Sequence, residues 1–153
     1  MASPKTTIRK SFPKLAPTDF VVTSDRDQTY NCIGWAADEN DRFWWPDPGS
    51  TKYYWPPDLP FDETPANFIK AFKTMGYEPC NSFRLEDGYE KLAIYTGKDG
   101  KTKHMARQLS DGTWTSKLGR DWDIKHKTLV GLEGADYGTP TQALKRPRLA
   151  KSK

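Results

Sequence analysis

The sequence predicts an α+β domain in which two helices precede an antiparallel β-meander. Three observations point there. Apolar residues recur at helical spacing up to Met75, the period changes to two from Glu90 onward, and the second half carries two tight-turn signals, Lys98-Asp99-Gly100-Lys101 and Ser110-Asp111-Gly112. A run of helices followed by a run of hairpin-linked strands is the pattern of segregated α and β elements. With 153 residues the chain can bury one core without metals or disulfides. That core has to be rich in rings, because only 35% of residues are hydrophobic, yet six are Trp, seven Tyr and seven Phe. Twelve Pro and eleven Gly predict short elements joined by long ordered loops.

Residues 1–19 are polar and contain Pro4, Pro13 and Pro17, which reads as a flexible N-terminal arm. Phe20, Val21 and Val22 either form a short strand or pin the chain to the core. A helix is expected from Cys32 to about Asp38–Asn40, capped by Asn31, whose side chain can accept from an unpaired N–H of the first turn. Between Phe43 and Phe61 the prolines exclude a helix and a central strand. Thr64-Pro65 is a cap followed by proline at the first helical position, Phe68, Ile69, Phe72 and Met75 supply one apolar face, and Gly76 ends the helix. Strands are expected at Lys91–Tyr95, Thr102–Leu109 and Thr113–Leu118, with a short helix within Thr128–Glu133. The single domain spans 20–140, and 141–153 read as a basic C-terminal tail. Lys145, Arg146, Arg148, Lys151 and Lys153 fall there with no acid among them, so the rest of the chain is close to neutral.

Several function classes are disfavoured. No apolar run approaches the ~18 residues of a bilayer span, and the first 14 residues lack the apolar block of a secretory signal. Two cysteines make no disulfide framework, so a reduced, cytoplasmic protein is the default. The two histidines and two cysteines have no metal-ligand spacing, no glycine-rich phosphate loop is present, and no cofactor is implied. Nucleic acid is an expected partner only through 142–153.

Cys32 and His104 are the candidate catalytic residues. Cys32 falls in the first turn of a capped helix, where the peptide dipoles favour thiolate, the nucleophilic form; equally, Cys32, Ile33, Trp35 and Ala36 can be core. His104 shares its strand face with Ala106 and Gln108, while Met105, Arg107 and Leu109 point the other way. A helix packed on the first of these faces would meet an imidazole suited to taking a thiol proton near neutral pH. Ser116 lies diagonal to His104 if the loop is the three residues 110–112; a two-residue loop puts Lys117 there instead. Gln108, Asp123 and His126 are further candidates to orient the imidazole, Asp123 being chemically the best suited. Gln28 or Asn31, with the Cys32 N–H, can form an oxyanion hole. Trp44, Trp45, Tyr54 and Trp55 either pack inward or line a groove, and Trp35 and Gln108 are counted with that cleft.

Tyr30-Asn31-Cys32-Ile33-Gly34-Trp35-Ala36 resembles the block that opens the nucleophile helix of NlpC/P60-type, papain-like cysteine peptidases and amidases. In that family a hairpin follows, with the activating histidine at the start of its second strand, and Lys91–Tyr95, Asp99-Gly100 and His104-Met105-Ala106 have that order. The resemblance implies a papain-like core. Ile33 stands where the family has a small serine, and the family's Gly-Asp before the first hairpin strand is missing. The chain is also similar, over most of residues 20–147, to small uncharacterised bacterial proteins that share the YNCIxWA, HxARQL, WTSKLG and LKRP blocks.

The expected function is thus cysteine-dependent amide hydrolysis of a peptide or amide substrate. Cys32 attacks the carbonyl, His104 shuttles the proton and water releases the acyl group, with peptidase, amidase and deamidase outcomes all open. The rival is a non-catalytic protein-binding module of the same fold that uses the aromatic-Pro loop 43–57. A nucleic-acid accessory protein acting through the basic tail is the third expectation.

Overall fold

The strands form one antiparallel sheet of seven, in the order β1-β6-β5-β4-β3-β7-β2. In this computed structural model, which describes residues 3–49 and 53–148, the meander is β3 (Tyr89–Thr96), β4 (Thr102–Gln108), β5 (Trp114–Lys117) and β6 (Asp123–His126). On one side β1 (Phe20–Val22) continues the sheet from β6. On the other, β7 (Thr139–Pro147) enters between β3 and β2 (Glu78–Cys80). The chain is α+β, as its changing hydrophobic period predicts.

Side chains alternate across the sheet, and both faces are covered. Leu92, Ile94, Met105 and Leu144 form the first face. Against it pack α2 (Cys32–Ala36), α3 (Pro65–Lys73) and the aromatic loop, through Ile33, Phe68, Phe72 and Trp44 among others. Ala93, Tyr95, Ala106, Trp114 and Ile124 form the second face, which is covered by the N-terminal segment and Leu132. The short helix expected within Thr128–Glu133 is a 3-10 turn at Val130–Leu132.

Two expectations are corrected. Of the expected arm 1–19, residues 3–19 are not loose, and 1–2 lie outside the described residues: α1 (Pro4–Ser11) is capped by Ser3, whose hydroxyl accepts from the Thr6 N–H, and Pro4 sits at the first position. Ile8, Phe12 and Leu15 then recur at near-helical intervals and are buried on the second face. The flanking prolines start and stop this segment rather than disorder it. Nor is 141–148 a tail. It completes β7, with Leu144 fully buried beside Leu92, Lys145 donating to Glu86 at 2.8 Å and Arg146 donating to the Met75 carbonyl at 2.9 Å. Carboxylates distant in sequence supply the counter-charge, so the basic run is a strand with its partners elsewhere. Of the residues read as tail, 149–153 lie outside those described. Among the described residues no helix is long and apolar enough to cross a membrane.

Candidate functional site

Asn31 begins α2 and does more than cap it. Its Oδ1 accepts from the Gly34 N–H and the Trp44 N–H, both at 3.0 Å, and its Nδ2 donates to the Trp44 carbonyl at 2.9 Å. The side chain fastens the aromatic loop onto the helix start, and one of its two amide N–H donors is committed to that loop. Gln28, the other residue expected to serve an oxyanion, is exposed in the preceding loop. Only glycine fits at 34, since a Cβ would lie 2.6 Å from the Arg42 carbonyl oxygen. The loop therefore presses directly on α2, with Cys32 beneath it.

Cys32 is the first residue of this five-residue helix and is only 8% exposed. Burial pushes its thiol up to about 11; the Met105, Cys32 and Ile33 N–H groups and the Lys117 ammonium pull the other way without overcoming it. The helix-start effect expected from the sequence is real in sign and outweighed in size, because a short helix leaves a buried thiolate poorly solvated.

His104 is on the other face. It stacks on Tyr137 with ring centroids 4.0 Å apart and planes 5° apart, and meets the edge of Tyr95 at 5.2 Å. Both tyrosines belong to the second face, whereas Cys32 packs with Met105 on the first. The expectation that α2 covers the His104 side is thus corrected. The helix lands on the continuous aliphatic surface of Leu92, Ile94, Met105 and Leu144, and the sheet lies between thiol and imidazole.

What surrounds His104 is a closed polar chain. The 110–112 loop has three residues, with the Leu109 N–H donating to the Thr113 carbonyl at 2.7 Å, so Ser116 falls diagonal to His104. Its Oγ is 3.0 Å from His104 Nε2 and 2.8 Å from His126 Nε2. His126 Nδ1 lies 2.9 Å from the Thr128 carbonyl oxygen. A carbonyl only accepts, so Nδ1 carries the proton and Nε2 is an acceptor. Ser116 then donates to His126 and accepts from His104 Nε2–H. This leaves His104 Nδ1 as a bare, buried lone pair without a partner. Desolvation holds both rings neutral: His126 is lowered to about 4, and His104 falls well below the ordinary range, with His126 adding to the effect.

Asp123 takes no part in this chain. It faces α2, accepts from the Tyr30 hydroxyl at 2.6 Å, and its carboxyl is raised by burial. Beside it Lys117, fully buried, donates to the Asp27 carbonyl at 2.6 Å and to the Asp121 carbonyl, and stands 4.8 Å from the Tyr30 ring. Gln108 shares the His104 face and donates to the Phe83 carbonyl at 3.2 Å. Sequence reasoning gave no role to Tyr137 or Tyr30, and weighed Lys117 only as an alternative neighbour of His104, not as a buried ammonium. The bracketing of Tyr137 by Gly134 and Gly138 was its only local signal. Among the described residues no group of three His, Cys, Asp or Glu converges to hold a metal.

The aromatic loop divides. Trp44 and Trp55 are buried, donating from Nε1 to Glu39 Oε1 at 2.8 Å and to the Pro60 carbonyl at 3.1 Å, and Trp45 sets its edge against Phe68. Trp35 donates to Thr115 Oγ1 at 3.0 Å. The outer rings remain part-exposed: Phe43 and Tyr53 stack at 5.5 Å, the Arg120 guanidinium stands 4.8 Å over Phe43, and that of Arg42 stands 3.8 Å over Tyr54.

The family model described as "Domain of unknown function (DUF7689)" matches residues 21–145. No curated protein and no solved structure matches the chain.

Proposed function

The chain belongs to the DUF7689 family, and on that footing we propose that it is a non-catalytic protein-binding module whose partner docks on the outer aromatic loop. One observation carries the reading: the sheet separates Cys32 from His104, and burial raises the thiol instead of readying it. A nucleophile needs its base within hydrogen-bond reach and a path for substrate, and Cys32 has neither. The part-exposed Phe43–Tyr53 stack with its guanidinium neighbours has the aromatic and arginine character enriched at protein interfaces. Both thiols are free, in keeping with the reducing, cytoplasmic setting proposed for the protein.

The papain-like reading keeps the order nucleophile helix, hairpin, histidine strand, and it remains the route by which a Cys32 amide hydrolase would be rescued. Iodoacetamide labelling of Cys32 against pH, in a Cys80→Ser background with and without His104→Ala, decides between them. Labelling no faster than global unfolding supports the module. Rapid labelling at neutral pH that slows in His104→Ala would restore the hydrolase. The partner face is read separately: a benzophenone side chain at Tyr53 should capture a discrete protein adduct in cells, and one at exposed Lys10 should not.

A further inference from the structure

We propose that the cavity between the β3–β4 hairpin tip and the segment preceding β7 binds a small organic anion, a carboxylate or phosphate monoester on a compact apolar body. The cavity measures about 770 Å³, within the range of small-molecule sites. Its walls are held from inside. Gly134 and Gly138 close their segment with two backbone bonds, of 3.1 and 2.8 Å, and Tyr137 between them is anchored by its stack on His104. Gly138 (φ 73°) lies so close to the hairpin that a Cβ there would overlap the Thr96 carbonyl oxygen. The two walls meet as backbone on backbone, so the cavity is formed before any ligand arrives.

Charge names the ligand class. Three lysines line the cavity against two carboxylates. Lys14 pairs with Glu133 at 3.1 Å and Lys103 with Asp99 at 3.0 Å. Lys98 has no carboxylate partner among the described residues, so one anionic group completes the set. The rest of the lining is glycine backbone, Thr96, Thr139 and Ala135, which suits an uncharged body of a few carbons.

The test is a titration of the ¹⁵N-labelled full chain, following the Gly97, Gly134 and Gly138 amides with phenyl phosphate, inorganic phosphate and benzyl alcohol as probes. Phenyl phosphate should shift all three amides saturably, with inorganic phosphate and benzyl alcohol both weaker. Lys98→Glu, at an exposed position, should weaken phenyl phosphate about tenfold, equivalent to ~1.4 kcal/mol, while leaving distant amides in place. The proposal is overturned if phenyl phosphate produces no saturable shift, or if its affinity is unchanged in Lys98→Glu. It is equally overturned if either single-feature probe binds as tightly as phenyl phosphate.

Discussion

Acid should destabilise this protein well above the pH at which its carboxylates titrate, and the histidines are the reason. An unfolded histidine takes up a proton near pH 6.5, whereas folded His126 resists until about 4. Its folded value is depressed, so the unfolded state binds the extra proton throughout that interval. The stability contributed by the neutral ring is complete above pH 6.5 and drains away as pH falls toward 4. Between pH 7.5 and pH 5, His126 alone should cost about 2 kcal/mol, and His104, depressed in the same direction, adds to this. Against a typical domain stability of roughly 5–15 kcal/mol this is a large fraction. Urea unfolding followed by tryptophan fluorescence should show the midpoint falling by about 1 M or more between those pH values. His126→Asn retains an amide for the Thr128 carbonyl but cannot titrate, and should flatten the dependence by close to one proton. A midpoint identical at pH 7.5 and pH 5, or a slope unchanged in His126→Asn, would refute the argument that these rings are buried neutral.

Two further outcomes are expected. Ile8→Ala should cost roughly 2–4 kcal/mol in urea unfolding, since α1 covers the second face of the sheet; a truly loose arm would leave the midpoint in place. Gly34→Ala should lower thermal stability by the equivalent of about 1–3 kcal/mol, because the new methyl meets the Arg42 carbonyl oxygen at 2.6 Å and must displace the aromatic loop. An unaltered melting temperature would mean that the loop does not press on α2.

The meander was legible because Gly100 and Gly112 punctuate it and side chains alternate regularly from His104 to Gln108, beyond an irregularity at Lys103. Even the diagonal of Ser116 and His104 followed from a loop length. What alternation could not reveal is which face of β4 a helix would choose. His104, Ala106 and Gln108 were correctly grouped, but the choice depended on Leu92, Ile94 and Leu144, drawn from two other strands, making the Met105 side the more aliphatic. β6 escaped notice because Asp123-Ile124-Lys125-His126 is short and mostly polar, although three of its four residues are buried. β7 escaped for a related reason: its charges are balanced by Glu86 and Glu90, more than fifty positions away. Local composition can report charge, but the partner that tames it is a tertiary fact.

β2 touches the sheet only through β7, the last of these seven strands in chain order. A nascent chain can pair β3 with β4 and set β5 and β6 beside them, yet the slot next to β3 stays empty until residues 139–147 leave the ribosome. Until then Leu92 and Ala93 present an unpaired edge, and residues 78–80 have no strand to pair with. Closure is therefore a late event that joins distant segments of the chain, the kind of contact that slows folding and leaves a strand edge open to other chains. During biosynthesis the protein's exposure to misassociation should be concentrated in that interval.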